Sequence, residues 1–233
     1  MSKLYVIPTP IGNLEDMTLR GLRLLKEADC ILSEDTRTTR HLLQHFGIDT
    51  LCLPYHKFNE HAQLESYVQL VRNHASVALV SDAGTPGISD PGFLLVRECV
   101  RNGILVECLP GATALIPALV DSGIPCDRFF FYGFLPHKKG RQTALARLSK
   151  LEETFVLYES PYRLLKTLEQ LREHCGAERQ VCVCRELTKI YEESVRGSIG
   201  EVQDYFSRKG VKGEIVMVVQ GCSSEASPES SLE

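Results

Sequence analysis

Residues able to do chemistry collect at three places, each directly behind an apolar run. Ser33-Glu34-Asp35-Thr36-Arg37 sets two carboxylates and a guanidinium behind residues 30–32. Glu159-Ser160-Pro161 follows the run 154–158, and Arg185-Glu186-Leu187-Thr188-Lys189 follows 181–184. In this pattern Asp35, Glu159 and Glu186 are candidates to take a proton as general bases, and Arg37, Arg185 and Lys189 are candidates to hold a developing negative charge. Each also reads as a structural bridge, since Arg37 can pair with Glu34 or Asp35 and Arg185 with Glu186. Spacing alone does not separate the two roles.

The elements that must position these residues are organised around SDAGTPGISDPG, residues 81–92, behind the apolar run 77–80. Asp82, Gly84, Pro86, Gly87, Asp90, Pro91 and Gly92 each fix or free the backbone, so the stretch reads as one set turn. It is longer than the roughly two to six residues that usually join a strand to a helix. Asp90 as N-cap and Pro91 as first residue predict a helix with Phe93, Leu94, Val96, Cys99 and Val100 on its apolar side and Gly103 as its stop. A strand, a glycine-rich loop and a helix N-terminus in succession are where open α/β sheets bind ligands. No Lys-Ser/Thr follows these glycines and G-x-G-x-x-G spacing is absent, so phosphate is not the ligand they predict.

Around this loop strands and helices alternate. Residues 3–7 predict a strand ending in Pro8-Thr9-Pro10-Ile11-Gly12-Asn13, and residues 18–28 a helix on Leu19, Leu22, Leu25 and Ala28. Residues 59–74 predict a helix on Leu64, Tyr67, Val68 and Val71, and 104–109 a strand closed by Pro110-Gly111-Ala112-Thr113-Ala114. From Asp127 the pattern restarts with a strand 128–134, a basic loop 136–141, a helix 143–151 and a strand 154–158. Ser160 as cap and Pro161 as opener predict a helix to Gly176, followed by a strand 181–184, a hairpin arm 192–197 and a strand 215–219. The fold class is therefore α/β, with two α/β domains. Residues 1–115 carry a parallel, doubly covered sheet, 116–222 a mixed sheet, and 223–233 a disordered Ser/Glu/Pro-rich tail.

Composition narrows the partners. With 233 residues, 43% of them apolar, and a net charge of −4, the chain suits buried cores and carries no global basic signal. Nucleic-acid contact must come from a local patch, for which Lys138, Lys139 and Arg141 stand beside Arg37, Arg40, Arg185 and Lys189, with Phe134, Tyr158 and Tyr162 as stacking surfaces. The same residues read equally as a solvated turn and core aromatics. Nine cysteines lack regular spacing, and Cys30, Cys52, Cys99, Cys108, Cys182 and Cys184 lie in apolar runs, as reduced core thiols of a cytoplasmic protein do. Cys182-Val183-Cys184 is read as splitting its thiols between the two faces of a strand, and no metal site is expected. No apolar stretch nears the roughly 20 residues that span a bilayer, so no membrane partner is expected.

Taken together, VIPTPIGNL at 6–14, SEDTR at 33–37, SDAGTPGISDPG at 81–92, LPGATA at 109–114, GFLP at 133–136, YESPYRL at 158–164, RELTK at 185–189 and KGEIVMVV at 212–219 resemble the tetrapyrrole methylase superfamily of S-adenosylmethionine enzymes. Within it they are most similar to the branch that methylates the 2′-hydroxyl of a cytidine in 16S ribosomal RNA of the small subunit. The resemblance implies a homodimer and a cofactor lying in a cleft between the two domains. It implies that Pro10, Asp82, Ala83, Gly84, Thr85, Ile88, Thr113 and Ala114 line S-adenosylmethionine on the N-terminal side. Glu159, Ser160, Arg185, Glu186, Leu187, Gly213 and Glu214 would close over it from the other domain. A sulfonium ligand without phosphate suits carbonyls, small residues and a few carboxylates. Two other readings stay open, a methyltransferase of a small molecule such as a tetrapyrrole and a non-catalytic cofactor-binding module.

Overall fold

The computed structural model describes residues 2–57 and 60–222, and the chain divides into two compact units, Met1–Ala114 and Leu115–Glu233. The first unit is built on β1 (Lys3–Val6), β2 (Cys30–Ser33), β3 (Cys52–Pro54), β4 (Ser76–Val80) and β5 (Leu105–Cys108), in the order β3-β2-β4-β1-β5 with every pairing parallel. Its helices are α1 (Leu19–Glu27), α2 (Thr36–His45), α3 (Leu64–Asn73) and α4 (Phe93–Arg101). Alternate strand residues feed two cores. Leu4, Val6, Leu32, Val77 and Leu79 pack with Val68 and Val71 of α3 and Leu95 and Cys99 of α4. Ile7, Ile31, Ala78 and Val80 pack with Leu24 and Leu25 of α1 and Leu43 of α2. Burial on both faces is why these strands are continuous apolar runs. It also means that the chain leaving β1 crosses one face and the chain leaving neighbouring β4 crosses the other. Beyond the carboxyl edge the two connections thus run to opposite faces of the sheet, the place where open α/β sheets bind ligands.

Two expectations about α4 are corrected. The helix starts at Phe93 with Gly92 as N-cap at φ 141°, not at Asp90 and Pro91. Residues 85–91 instead close their own turns, with Gly87 N donating to Pro91 O at 3.2 Å and Ile88 N to Thr85 O at 3.2 Å. A Cβ on Gly92 would lie 3.1 Å from Gly87 N, so the close approach requires glycine. Leu95 and Cys99 face inward with Val96 beside them, whereas Phe93 and Val100, expected on the apolar side, are each 62% exposed. Leu19 of α1 likewise faces outward. The helix expected over 59–74 covers Leu64–Asn73, and its expected first residue lies outside the described residues.

The second unit contains β6 (Phe129–Phe134), β7 (Thr154–Glu159), β8 (Gln180–Arg185), β9 (Glu193–Ser198) and β10 (Ile215–Val219), in the order β6-β7-β10-β8-β9. Only β6 and β7 are parallel, so the sheet is mixed, and the arm expected over 192–197 is β9 paired antiparallel with β8. Helix α5 (Leu115–Asp121) meets β8, where Cys184 Sγ donates to Ala118 O at 3.9 Å, and α6 (Arg141–Leu148), α7 (Leu164–Cys175) and α8 (Ile199–Lys209) pack on a core containing Phe155, Leu157, Leu168, Val183, Phe206 and Met217. Cys182 and Cys184 do not point to opposite faces. Two residues apart on one strand they share a face, and their sulfurs lie 3.6 Å apart. Cys108 is exposed, because β5 is an edge strand. The tail expected to be disordered lies outside the described residues.

A buried polar cluster decides how α7 begins. Glu159, at the end of β7, is buried and accepts from Ser160 N at 2.7 Å and Thr167 Oγ1 at 2.6 Å, and pairs with Arg163 at 2.8 Å. Drawing in Arg163 and the Ser160 amide winds residues 160–163 into a turn. The helix therefore starts at Leu164, not at the expected Pro161. Arg141, expected in a basic RNA-facing loop, is buried in the same cluster and donates to Gln170 Oε1 at 2.7 Å, Thr167 Oγ1 at 2.6 Å and Pro136 O at 3.2 Å. Removing one member of such a cluster leaves buried acceptors unsatisfied. Arg141→Ala is expected to lower stability by about 3 kcal/mol in urea unfolding, and Arg141→Lys to recover little of it, since a single ammonium cannot serve three separated acceptors. A variant as stable as the parent would place Arg141 outside the core.

Candidate functional site

At the carboxyl edge of the first sheet the loops are fastened to one another. Thr9 N donates to Gly84 O at 2.9 Å and Gly84 N to Thr9 O at 2.8 Å, while Thr9 Oγ1 donates to Ser81 O at 3.1 Å. Thr85 Oγ1 donates to Ala112 O at 3.1 Å, tying the loop after β4 to the loop after β5. Gly84 sits at φ 79°, and a Cβ on Gly111 would press against Pro8 at 2.8 Å. These ties bring Pro10, Asp82, Ala83, Gly84, Thr85, Thr113 and Ala114 together at one edge, with Ile88 on the adjoining turn. The end of β2 joins them, since Asp35 N donates to Asp82 Oδ1 at 3.0 Å. A cavity of about 260 Å³ opens here, lined by Thr9, Pro10, Ser81 and Asp82 from the loops and Thr38, Thr39 and His41 from α2.

Three carboxyls of this edge stand in different environments. Asp35 caps α2 by accepting from Arg37 N at 2.8 Å, and its hydrogen bonds from the Arg37 side chain lower its pKa to about 2. Arg37 is nevertheless 84% exposed at its side chain. Burial raises the pKa of Glu34, and the charge of Asp82 adds to it. Burial likewise raises Asp82, and the Asp35 charge adds to the shift. The donor set of carbonyls, hydroxyls, carboxylates and small residues fits a cationic ligand such as S-adenosylmethionine. Among the described residues no group of three or more His, Cys, Asp and Glu side chains could hold a metal ion.

At the second sheet, Ile215 pairs with Glu159 on one side and Arg185 on the other, so the exits of β7 and β8 flank the start of β10. Glu159 is not free to act on a substrate, because both its oxygens are taken within the core. Arg185 pairs with Glu193 at 3.2 Å, not with Glu186, and donates to Lys212 O at 3.4 Å. Partial burial would raise the pKa of Glu193, but hydrogen bonds from Lys209, Tyr205 and Arg185 lower it to about 2. Lys189 bridges Glu186 and Glu214 at 2.9 Å each, and Glu214 N donates to Glu186 Oε1 at 2.9 Å. That backbone bond, followed by Lys189, lowers the Glu186 pKa. Glu186 and Thr188 hold positive φ of 53° and 66°, and a Cβ on Gly213 would overlap the Glu186 carboxyl. Gly213 and Glu214 thus lie against the turn that carries Glu186 and Leu187, and Ser160 leaves the same edge at the end of β7.

Sequence reading missed α2 and, with it, Thr38, Thr39 and His41. The signal was present, since Asp35 two residues before Arg37 is an N-cap pattern. It also passed over Ile190 and Tyr191, next to the RELTK stretch, which are 95% and 72% exposed.

Residues 3–203 match the sequence profile of the family described as Tetrapyrrole (Corrin/Porphyrin) Methylases. The chain is 47% identical to a Synechocystis protein named Ribosomal RNA small subunit methyltransferase I, spanning 100% of this chain and 84% of that one. A Hydrogenobaculum protein of the same name is 48% identical over 93% of this chain and 95% of its own. Among solved structures, uroporphyrin-III C-methyltransferase from Thermus thermophilus, complexed with S-adenosyl homocysteine, superposes with a TM-score of 0.65 at 21% identity, covering 94% of this chain and 97% of that one.

The raised carboxyls make a pH test. A carboxyl whose folded pKa lies above its unfolded value binds more protons folded than unfolded, so stability falls as pH rises through that window. Glu34→Gln removes this penalty. The variant is expected to melt above the parent at pH 7, with the difference closing as pH falls below the ordinary carboxylate range of about 4.3. A parent melting at or above the variant at pH 7 would contradict the burial of Glu34.

Proposed function

The chain belongs to the tetrapyrrole (corrin/porphyrin) methylase family, and we infer that this member transfers the methyl group of S-adenosylmethionine to small-subunit ribosomal RNA, at the 2′-hydroxyl of a cytidine. The observation that carries the reading is chain-long identity of 47% and 48% to proteins named for that RNA, against 21% to the tetrapyrrole enzyme that shares the fold. Bound S-adenosylmethionine supplies an electrophilic methyl on a sulfonium, for which alignment of the acceptor accounts for most of the acceleration. Pro10, Asp82, Ala83, Gly84, Thr85, Ile88, Thr113 and Ala114 in the first unit, and Ser160, Leu187, Gly213 and Glu214 in the second, are proposed to hold it.

The electrostatics redistribute the chemical roles. Asp35, with its pKa near 2, is a weak base at neutral pH and serves to orient Arg37. The better proton acceptors are the carboxyls raised by burial, Glu34 and Asp82, since a base works best with a pKa near the working pH. Arg37 is the exposed cation for an RNA phosphate or a developing alkoxide. Arg185, Glu186 and Lys189 act by holding their turn, and Glu159 by holding Arg163. Lys138 and Lys139 are exposed and add phosphate contacts. The assembled small subunit, in the cytoplasm, is the substrate we favour, because a chain of net charge −4 needs contacts beyond a short RNA. A homodimer is the form we propose.

The deciding experiment offers labelled S-adenosylmethionine with unmodified small subunits, naked ribosomal RNA or porphyrinogens. Label is expected in subunit RNA, weakly in naked RNA and not in porphyrinogen, and transfer to porphyrinogen alone would overturn the reading. A pair of variants separates cofactor from substrate. Gly84→Val, strained at a φ of 79°, is expected to abolish cofactor binding in calorimetry. Arg37→Ala is expected to lower single-turnover transfer at least about tenfold, or about 1.4 kcal/mol at the transition state, with cofactor affinity within a few-fold. If affinity falls in step with rate, Arg37 belongs to the cofactor site.

A further inference from the structure

The turn after β8 ends in two large apolar side chains that nothing in its own unit covers. Ile190 is 95% and Tyr191 72% exposed, adjacent at the centre of a turn closed by Glu192 N donating to Lys189 O at 3.1 Å. The base of the turn is rigid. Glu186 and Thr188 hold left-handed backbone, Lys189 N donates to Glu186 O at 3.0 Å, and Thr188 N donates to Glu192 Oε2 at 2.6 Å. Lys189 is pinned between Glu186 and Glu214. Non-glycine residues in that backbone region are strained, and such strain persists where surrounding contacts fix a geometry that is used. A pair of apolar residues held out on a stiff support is presented, not merely left over.

The neighbourhood indicates what it is presented to. Because Glu159, Ile215 and Arg185 lie in one row of the sheet, the turn after β7 leaves the same edge about 10 Å away, two strand spacings. That turn carries Tyr162, which is 96% exposed. The next strand out ends in Phe134, 52% exposed and edge-on to Tyr158 at 5.7 Å. Exposed Lys138, Lys139 and Lys212 lie in the loops between. The apolar groups are separate tips interleaved with lysines, whereas the centre of a protein interface is a continuous patch depleted of lysine. Aromatic tips among cations are the pattern that takes single-stranded nucleic acid, with bases stacked on rings and phosphates on lysines.

We propose that the Ile190–Tyr191 tip is a base-stacking element, with Tyr191 stacking on an unpaired base of the ribosomal RNA beside the methylated nucleotide and Ile190 wedged against it. The proposal rests on the ribosomal RNA reading above. Its function is to hold the strand open so that a ribose hydroxyl can be aligned, a step that stacked RNA resists.

The test compares the full-length parent with Tyr191→Ala, Tyr191→Phe and Ile190→Ser, none of them in the proposed cofactor set. Four quantities are measured: single-turnover methylation of unmodified small subunits over a range of subunit concentration, co-sedimentation of enzyme with subunits, sedimentation velocity of the enzyme alone, and cofactor affinity by calorimetry. Tyr191→Ala is expected to raise the subunit concentration for half-maximal rate about tenfold, the size of effect that loss of one base–aromatic stack produces. Tyr191→Phe keeps the ring and is expected to stay within twofold, Ile190→Ser to fall between, and calorimetric cofactor affinity to be unchanged in all three. Tyr191→Ala methylating and co-sedimenting like the parent would overturn the proposal. So would a loss that accompanies a smaller oligomer, which would assign the tip to a second copy of the chain. If the parent co-sediments with subunits but transfers no methyl, the functional reading fails while the binding comparison still decides the tip. A parent that neither binds nor methylates subunits overturns both.

Discussion

Everything at the carboxyl edge of the parallel sheet depends on the reciprocal backbone hydrogen bonds between Thr9 and Gly84. A loop without regular structure must satisfy its own amides and carbonyls, and this pair does so while joining the loops that leave two neighbouring strands. Each bond adds only about 1 kcal/mol net, against roughly 1–2 kcal/mol to order each residue. The arrangement therefore persists because β1 and β4 are anchored in cores on both faces of the sheet. The glycines are consequences of it. Gly84 takes a left-handed backbone so that its amide and carbonyl can both reach Thr9, and Gly111 leaves room for Pro8.

The second unit holds its edge by charge. Glu159 and Arg141 are both buried, which is tolerable only because Arg163, Thr167, Gln170 and backbone groups complete their hydrogen bonds. Farther along, Lys189 bridges Glu186 and Glu214 at a turn where Glu186 and Thr188 hold strained backbone. The charge that a substrate meets is therefore smaller than a count of Arg, Lys, Asp and Glu suggests. Arg37 keeps its guanidinium exposed, whereas Arg141 and Arg185 are spent on structure.

The fold by itself does not name a substrate, and a C-methyltransferase of uroporphyrin shares it at 21% identity. The sheet edges of this chain carry two features that bear on a substrate. Exposed aromatic and apolar tips stand among lysines on the second sheet, and carboxyls of unequal pKa stand beside an exposed arginine on the first. On these two features rests the proposed holding and deprotonation of the acceptor.

Much of this was legible in the sequence. Continuous apolar runs marked the strands, residues 215–219 without error, and clusters of Gly and Pro marked the loops that carry the site, because both signals act on the backbone within a few residues. The capping box that opens α8, Ser198 with Glu201, was equally local and was overlooked. Where capping signals failed, a specific contact a few residues away overrode them. Asp90-Pro91 lost the start of α4 to the contact of Gly92 with Gly87, and Ser160-Pro161 lost the start of α7 to the demand of Glu159 for Arg163. The Arg37–Asp35 pair was legible in the sequence, but other partners of the charged residues were decided only in three dimensions. Asp35 meets Asp82 across 47 positions and Arg141 meets Thr167 across 26. Backbone preference is a property of a short segment and can be read from it, whereas burial and ion pairing depend on which segments the folded sheet brings side by side.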